Sequence, residues 1–363
     1  MHDVATIVLK NPEDVTADWL TKRLRANGYL NKGEVVEVGP EDRTKADRVA
    51  NRLLIRYSEG VSEDMPSRLI FRFNDNGAAR VKDKRLSSAV REAVFYTEMA
   101  TEMNDPPIAK WYDAGIDVDT GETYLLLEDL MFTHELAEKS DTPSPYGGWA
   151  CFDTLPWESW EGMVDALVKM QAHWWDHERI HDAHVVAMSG WLSTEAVADR
   201  ERAGVHLEGL GEMAEDLRER VEKSIRAWPD LYEKRIVDRK HLTLTHQDFH
   251  CRNVMLPKNS ETHEVMIFDW ETLTRGIGVY DLAYLMTTPM LPAQMRYDLE
   301  RHLISRYYAG LVDTGIVGYG LEDCLADYQL AIVGLLAACS GQAECFTRSI
   351  VAAFEAWDCG KLL

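Results

Sequence analysis

The stretch Leu242-Thr-Leu-Thr-His246-Gln-Asp248-Phe-His250-Cys-Arg-Asn253-Val-Met-Leu256 sets acid, imidazole and amide groups between two apolar runs. A further apolar run, Val265-Met-Ile-Phe, ends directly on Asp269-Trp-Glu271. Strand ends are where a sheet presents side chains to a cleft, so both polar clusters are placed for chemistry. An H-x-D-x-x-x-x-N pattern with an Asp about 16 residues beyond the Asn suits phosphoryl transfer. One Asp faces the acceptor hydroxyl, while the Asn and the second Asp offer the oxygen ligands that Mg²⁺ takes. The transferring group spreads negative charge, which metal and cationic donors stabilise. Asp248, His250 and Asn253 are therefore the candidate catalytic residues, and Asn253 and Asp269 the candidate metal ligands. His250, two residues after Asp248, is placed to donate to the γ-phosphate, whereas His246 is expected to fix loop backbone through a hydrogen bond.

The elements that must position these residues fall into two parts. Residues 13–27 read as an amphipathic helix, with Pro12 and acids at its start, Val15, Trp19, Leu20 and Leu24 at helical spacing, and Gly28 beyond its end. Strand-like stretches follow at Val35 to Gly39, Val49 to Tyr57 and Arg68 to Phe73. A helix over Ser87 to Thr101 and a short strand over Tyr124 to Leu127 complete a sheet with one inserted helix by residue 128. Beyond it, Trp157 to Trp175, Glu208 to Trp228, Pro292 to Leu311 and Leu321 to Ala338 have helical periodicity, interrupted by strands at His241 to Thr245 and Val265 to Phe268. The expected organisation is an N-terminal lobe over 1–128 and a larger lobe over 129–363, with a helical insertion at about 140–240.

Composition removes several other functions. The 363 residues are 46% hydrophobic and 28% charged, as in soluble globular proteins, and carry a formal net charge of −22. Such a surface repels phosphate backbones and anionic membrane faces, so neither nucleic acid nor a membrane is an expected partner. The start, MHDVATIVLKNPEDV, has no basic segment followed by an apolar core, and no uncharged apolar run approaches the roughly 18 residues of a spanning helix. A cytoplasmic protein with reduced thiols is expected, the six cysteines forming no C-x-x-C pair. There is no G-x-x-x-x-G-K-[ST] loop, and Gly209-x-Gly211 and Gly318-x-Gly320 are too short for a dinucleotide fingerprint. His173, His177, His181 and His184 lie at helical spacings that suit either a metal or a plain histidine row. Trp149, Trp157, Trp160, Trp174, Trp175 and Trp191 suit core packing or an aromatic wall.

His246-Gln-Asp248-Phe-His250-Cys-Arg-Asn253, then Phe268-Asp269-Trp270-Glu271 and Gly276-Ile-Gly278-Val-Tyr280-Asp281-Leu-Ala-Tyr284, resembles the aminoglycoside phosphotransferase and choline kinase-like superfamily of small-molecule kinases. The D-W-E and Y-D-L-A-Y segments, with Arg306-Tyr-Tyr-Ala-Gly-Leu and Asp327-Tyr328, are most similar to its bacterial branch related to ecdysteroid kinases. The resemblance covers roughly residues 15 to 350 and is most specific in its later motifs. It implies a two-lobed, protein-kinase-like α+β fold: an N-terminal antiparallel sheet with its helix, and a larger, mainly helical C-terminal lobe.

ATP and Mg²⁺ are the implied cofactors and a small-molecule hydroxyl the implied acceptor. Arg72 stands where the family's strand Lys contacts phosphate, Ile70 shares its face for the adenine, and Glu92 in Arg91-Glu92-Ala-Val-Phe95-Tyr96 resembles the Glu that holds that cation. Glu128, Asp129 and Leu130 resemble the hinge whose backbone reads the adenine edge. Asp281 is implied to support the catalytic loop. The phosphate-covering loop matches least: Gly39-Pro-Glu-Asp-Arg43-Thr44-Lys45 holds one Gly, leaving Arg43 or Lys45 as substitutes. That loop and Arg72 in place of Lys leave open a nucleotide-binding pseudokinase or scaffold, and an antibiotic-resistance kinase would differ only in acceptor. The acidic surplus, with Asp153, Glu158, Glu161, Asp165, Asp176 and Glu178 beside the Trp cluster, favours an amine-bearing acceptor over an anionic one. The sequence leaves the oligomeric state open.

Overall fold

The computed structural model describes residues 8–41, 51–74, 88–117, 120–137, 155–182, 210, 212–288, 293–339 and 344–362. The chain divides into two compact units, one of Met1–Glu135 with Asp269–Glu271 and one of Leu136–Phe268 with Thr272–Leu363. The first is built on a five-stranded sheet of β1 (Val35–Pro40), β2 (Asn51–Tyr57), β3 (Arg68–Asn74), β4 (Trp111–Ile116) and β5 (Thr123–Glu128). Their order is β1-β2-β3-β5-β4, each neighbour antiparallel to the next.

Alternation along these strands separates two faces. Leu53, Ile55, Leu69, Phe71, Tyr124 and Leu126 point to one side and form a core with Leu20 and Leu24 of α1 (Ala17–Ala26). The expected N-terminal helix is thus the cover of this sheet face. Thr16 caps it by accepting the Trp19 N–H at 3.3 Å. Arg23 of α1 binds the fully buried Asp113 of β4 through Nε at 2.9 Å, and Asn27 and the Tyr124 hydroxyl add bonds of 2.9 and 2.7 Å to the same carboxylate. The buried charge therefore has a paired cation and neutral donors.

The other face carries Ile70 opposite Leu127 and Arg72 opposite Leu125. Helix α2 (Ser88–Val94) passes into one π-helical turn, Phe95–Met99, and a 3₁₀ turn, Ala100–Glu102. The helix expected over Ser87 to Thr101 therefore changes winding after Val94, two residues beyond Glu92.

The second unit is mainly helical: α3 (Trp157–Trp174), α4 (Glu215–Ile236), α5 (Val279–Thr287), α6 (Ala293–Asp313), α7 (Leu321–Cys339) and α8 (Glu344–Ala356). Helix α7 packs on α4, α5 and α8, and α3 packs on α6. Helix α4 runs on through Pro229, beyond its expected end at Trp228. The last short strand before the division, β6 (His134–Leu136), straddles the boundary between the units. Strand β7 (Thr243–Thr245) pairs with β10 (Thr274–Gly276), and β8 (Val254–Pro257) with β9 (Met266–Ile267). An antiparallel sheet with its helices in one unit and mainly helices in the other make the chain α+β, with the elements of a protein-kinase-like fold.

Among the described residues no helix is long and apolar enough to cross a membrane. Among the described residues, Cys251, Cys324 and Cys359 are buried and form no disulfide.

Candidate active site

In the first unit the strand cation and two carboxylates form one cluster. Arg72 Nη1 donates to Glu92 Oε1 and Nη2 to Asp269 Oδ1, both at 2.8 Å. The fork uses two different nitrogens, which a Lys ammonium cannot reproduce. Glu92 is nearly fully buried, while Arg72 and Asp269 keep 32% and 30% of their side-chain surface. Burial pushes Glu92 up to about 7, Arg72 opposing the rise and Asp269 and Glu271 adding to it. The Asp269 segment is fixed by Trp270, whose ring stacks on Phe95 in the π turn with centroids 4.3 Å apart. This explains the aromatic that follows Glu92 by three residues: it locks the carboxylate segment onto the helix bearing the Glu. Asp269 itself has φ 68°, a left-handed conformation uncommon for a non-glycine residue.

In the second unit the H-x-D-x-x-x-x-N stretch forms a tight loop between β7 and β8. Asp281 of α5 is completely buried and accepts the backbone N–H groups of His246 and Gln247, each at 2.8 Å, and Gln171 Nε2 at 2.9 Å. It holds the loop, as its motif implies. Gln247 takes φ 70°, so the residue before Asp248 is also left-handed. The ring of His246 spans the loop, with Nε2 2.9 Å from the Phe268 carbonyl and Nδ1 accepting the Asp248 N–H at 3.3 Å. His246 is thus a backbone brace.

Asp248 is gripped on both oxygens. Tyr284 of α5 donates its hydroxyl to Oδ1 at 2.6 Å, and Asn253 Nδ2 donates to Oδ2 at 3.2 Å and to the Asp248 carbonyl at 2.9 Å. His250 accepts the Arg252 N–H on Nδ1 and brings Nε2 to 3.5 Å from Oδ2, so its ring faces Asp248. Burial alone would raise Asp248, but His250, Tyr284 and His246 outweigh it and hold the carboxyl at about 2. The group is therefore an ionised, oriented carboxylate. Asn253 commits its amide nitrogen to Asp248, which leaves its amide oxygen as the donor a hard cation takes. Phe268, the residue before Asp269, donates its N–H to the Asn253 carbonyl at 3.0 Å. The loop's own donors, the Asp248 carboxylate and the Asn253 amide oxygen, are oxygens of the kind Mg²⁺ takes.

At the expected hinge, Glu128 ends β5 with its N–H on the Lys110 carbonyl at 2.8 Å. The Asp129 side chain caps the Leu130–Phe132 turn through the Met131 N–H and pairs with Arg52 Nε at 3.1 Å. Arg52 lies opposite Ile70 on β2. The sequence reading gave Arg52 no role, because its pairing with Asp129 spans 77 residues. Tyr284 likewise stood within a quoted motif without a function; the available signal was its position three residues beyond Asp281, on the same helix face.

Other candidates resolve differently. Gly39 lies inside β1 opposite Leu54, and Arg43, Thr44 and Lys45 fall outside the described residues. His173 and His177 stack at 6.0 Å, His184 lies outside the described residues, and among those described no group of three His, Cys, Asp or Glu could hold a metal. Trp160 and Trp174 are fully buried core residues. Glu161 and Asp165 are engaged by Arg306, and Asp176 accepts the Leu242 N–H, so these acids serve the fold.

Residues 177–316, which include the loop, Asp269 and α5, match the model of the ecdysteroid kinase-like family. A search of curated proteins returned no match. Solved structures similar to the chain include an aminoglycoside phosphotransferase from Alicyclobacillus acidocaldarius (12% identity, 89% of this chain and 90% of that one, TM-score 0.49). A Plasmodium vivax ethanolamine kinase (11%, 88% and 81%, 0.47) and a choline kinase from Streptococcus pneumoniae (13%, 88% and 94%, 0.41) are also similar.

Proposed function

We propose that the protein is a small-molecule kinase that transfers the γ-phosphate of ATP to an acceptor hydroxyl. The observation that carries this reading is the ionised Asp248 carboxylate, held on both oxygens in a loop whose Asn253 offers an amide oxygen. Arg72 would position the α and β phosphates with Glu92 holding its guanidinium, while Ile70 and the backbone of Glu128, Asp129 and Leu130 would receive the base. Asn253 and Asp269 would hold Mg²⁺, which supplies charge neutralisation on the phosphates. A bond forms between the acceptor oxygen and the γ-phosphorus as the bond to the bridging oxygen breaks. The electron pair leaves on ADP and the acceptor proton passes to Asp248.

A carboxylate held at about 2 is a weak base, so its main contribution is to orient the hydroxyl, which a loose transition state tolerates. His250, turned toward Asp248, would reach the γ-phosphate only by leaving that orientation. The acceptor is read as a neutral or amine-bearing alcohol, since the net charge of −22 disfavours anions. With Glu161 and Asp165 engaged by Arg306 and Asp176 by the Leu242 N–H, the amine preference rests on that overall field with Glu158 and Glu178, Asp153 lying outside the described residues. The test is ADP release with Mg·ATP over a panel of sugars, amino alcohols, sterols and antibiotics. Mg²⁺-dependent thermal stabilisation by ATP with no turnover of any acceptor would favour a scaffold.

A further inference from the structure

Tyr284 sits on α5, one turn beyond Asp281, and is 3% exposed. Residues three apart share a helix face, so one turn of α5 reaches the loop twice. Asp281 takes the backbone N–H groups of His246 and Gln247, and Tyr284 takes the side chain of the next residue. Helix α5 is buried at every position from Val279 to Thr287, which makes it a stiff mount. It is set close to its surroundings at Gly278, where a Cβ would meet the Tyr307 hydroxyl and the Gln171 amide. The loop, by contrast, is strained at Gln247, so the direction of the Asp248 carboxylate depends on what grips it.

Resting on the role proposed above for Asp248, we propose that Tyr284 is a positioning residue that fixes the plane of the Asp248 carboxylate by holding Oδ1. With Oδ1 tied to α5 and Oδ2 steadied by Asn253, the plane of the carboxylate is set, and its remaining lone pairs meet an acceptor hydroxyl in fixed directions. Tyr284 touches no reacting atom and acts only through Asp248. A buried tyrosine that merely needed a hydroxyl partner would be served as well by a carbonyl. The choice of the loop carboxylate is what gives the contact a consequence for turnover.

Tyr284→Phe removes the hydroxyl and keeps the ring against Phe346 and His250. The experiment needs no identified acceptor: transfer of the γ-phosphoryl group of Mg·ATP to water, giving ADP and inorganic phosphate, is followed with radiolabelled ATP, and the Mg·ATP melting shift confirms folding. The variant should lose roughly 10- to 100-fold in kcat with KM for ATP within about twofold, the signature of misdirected chemistry with intact nucleotide binding. In an Asp248→Asn background the same change should have no further effect, since the group it orients is gone. Tyr284→Phe turning over at the wild-type rate, or an equal loss in both backgrounds, overturns the inference. Asp248→Asn turning over like wild type with its melting shift intact would overturn the reading of Asp248 on which the inference rests.

Discussion

Arg72 Nη2 lies 2.8 Å from Asp269 Oδ1, joining the central strand of the sheet to the acid that follows β9 in sequence. The same guanidinium holds Glu92 through its other terminal nitrogen, so one planar fork sets the direction of two carboxylates. Lys at this position would keep the charge and lose the bridge. Arg72→Lys should raise KM for ATP about tenfold, a cost of the size expected when a forked donor becomes a point charge. Initial rates of ADP release across ATP concentrations measure it, and an unchanged KM would show that the bridge plays no part in nucleotide binding.

Asp269→Ala should abolish the Mg²⁺-dependent part of the thermal stabilisation by ATP, because it removes the carboxylate proposed as metal ligand. Melting curves with ATP, with and without Mg²⁺, check this. A full Mg²⁺-dependent shift in the variant would place the metal elsewhere.

Asp113→Ala should lower stability by about 3 kcal/mol, since it leaves Arg23, Asn27 and the Tyr124 hydroxyl facing a lost partner beneath α1. Urea unfolding measures the change. A loss below about 1 kcal/mol, the range of exposed ion pairs, would show that the contact does little to hold α1 on the sheet.

Stability should fall as pH rises from about 5 to about 8, the two buried carboxyls outweighing the part-buried His173 and His181, which burial pushes down and which act in the opposite sense. Burial pushes Glu92 and Asp281 each up to about 7, so both bind protons more tightly in the folded chain than in the unfolded one. Their contribution is complete below about pH 4, the ordinary carboxylate range, and is lost as pH rises to about 7. Asp248, held at about 2 by His250 and Tyr284 against burial, acts in the opposite sense, its contribution being lost only as pH falls toward 2. Urea midpoints at the two pH values test the sign, and a midpoint that rises with pH contradicts it.

Consecutive residues made the loop and the second acid legible. His246, Asp248 and Asn253 lie within eight positions, and strand alternation alone put Ile70 and Arg72 on one face. What escaped was long-range or fully buried. Helix α5 has no polar face and therefore no helical period to detect. Strand β4 hides a charged Asp113 in the core, and Gly115 on it lies against the Tyr124 ring. The pairs Arg23–Asp113, Arg52–Asp129 and Tyr284–Asp248 join positions 90, 77 and 36 residues apart, distances at which spacing carries no signal. The left-handed conformations of Gln247 and Asp269 were equally hidden, because neither residue is a glycine.

Asp248 is the residue on which the proposed transfer turns. The direct measurement is ADP release from Mg·ATP by wild type and Asp248→Asn, with the best acceptor from the panel, alongside the Mg·ATP melting shift of each. The expected result is an intact shift and a turnover lower by roughly 10²-fold or more, because the oriented carboxylate is lost while the proposed metal ligands remain. Turnover within a few-fold of wild type would remove Asp248 from the chemistry and contradict the account.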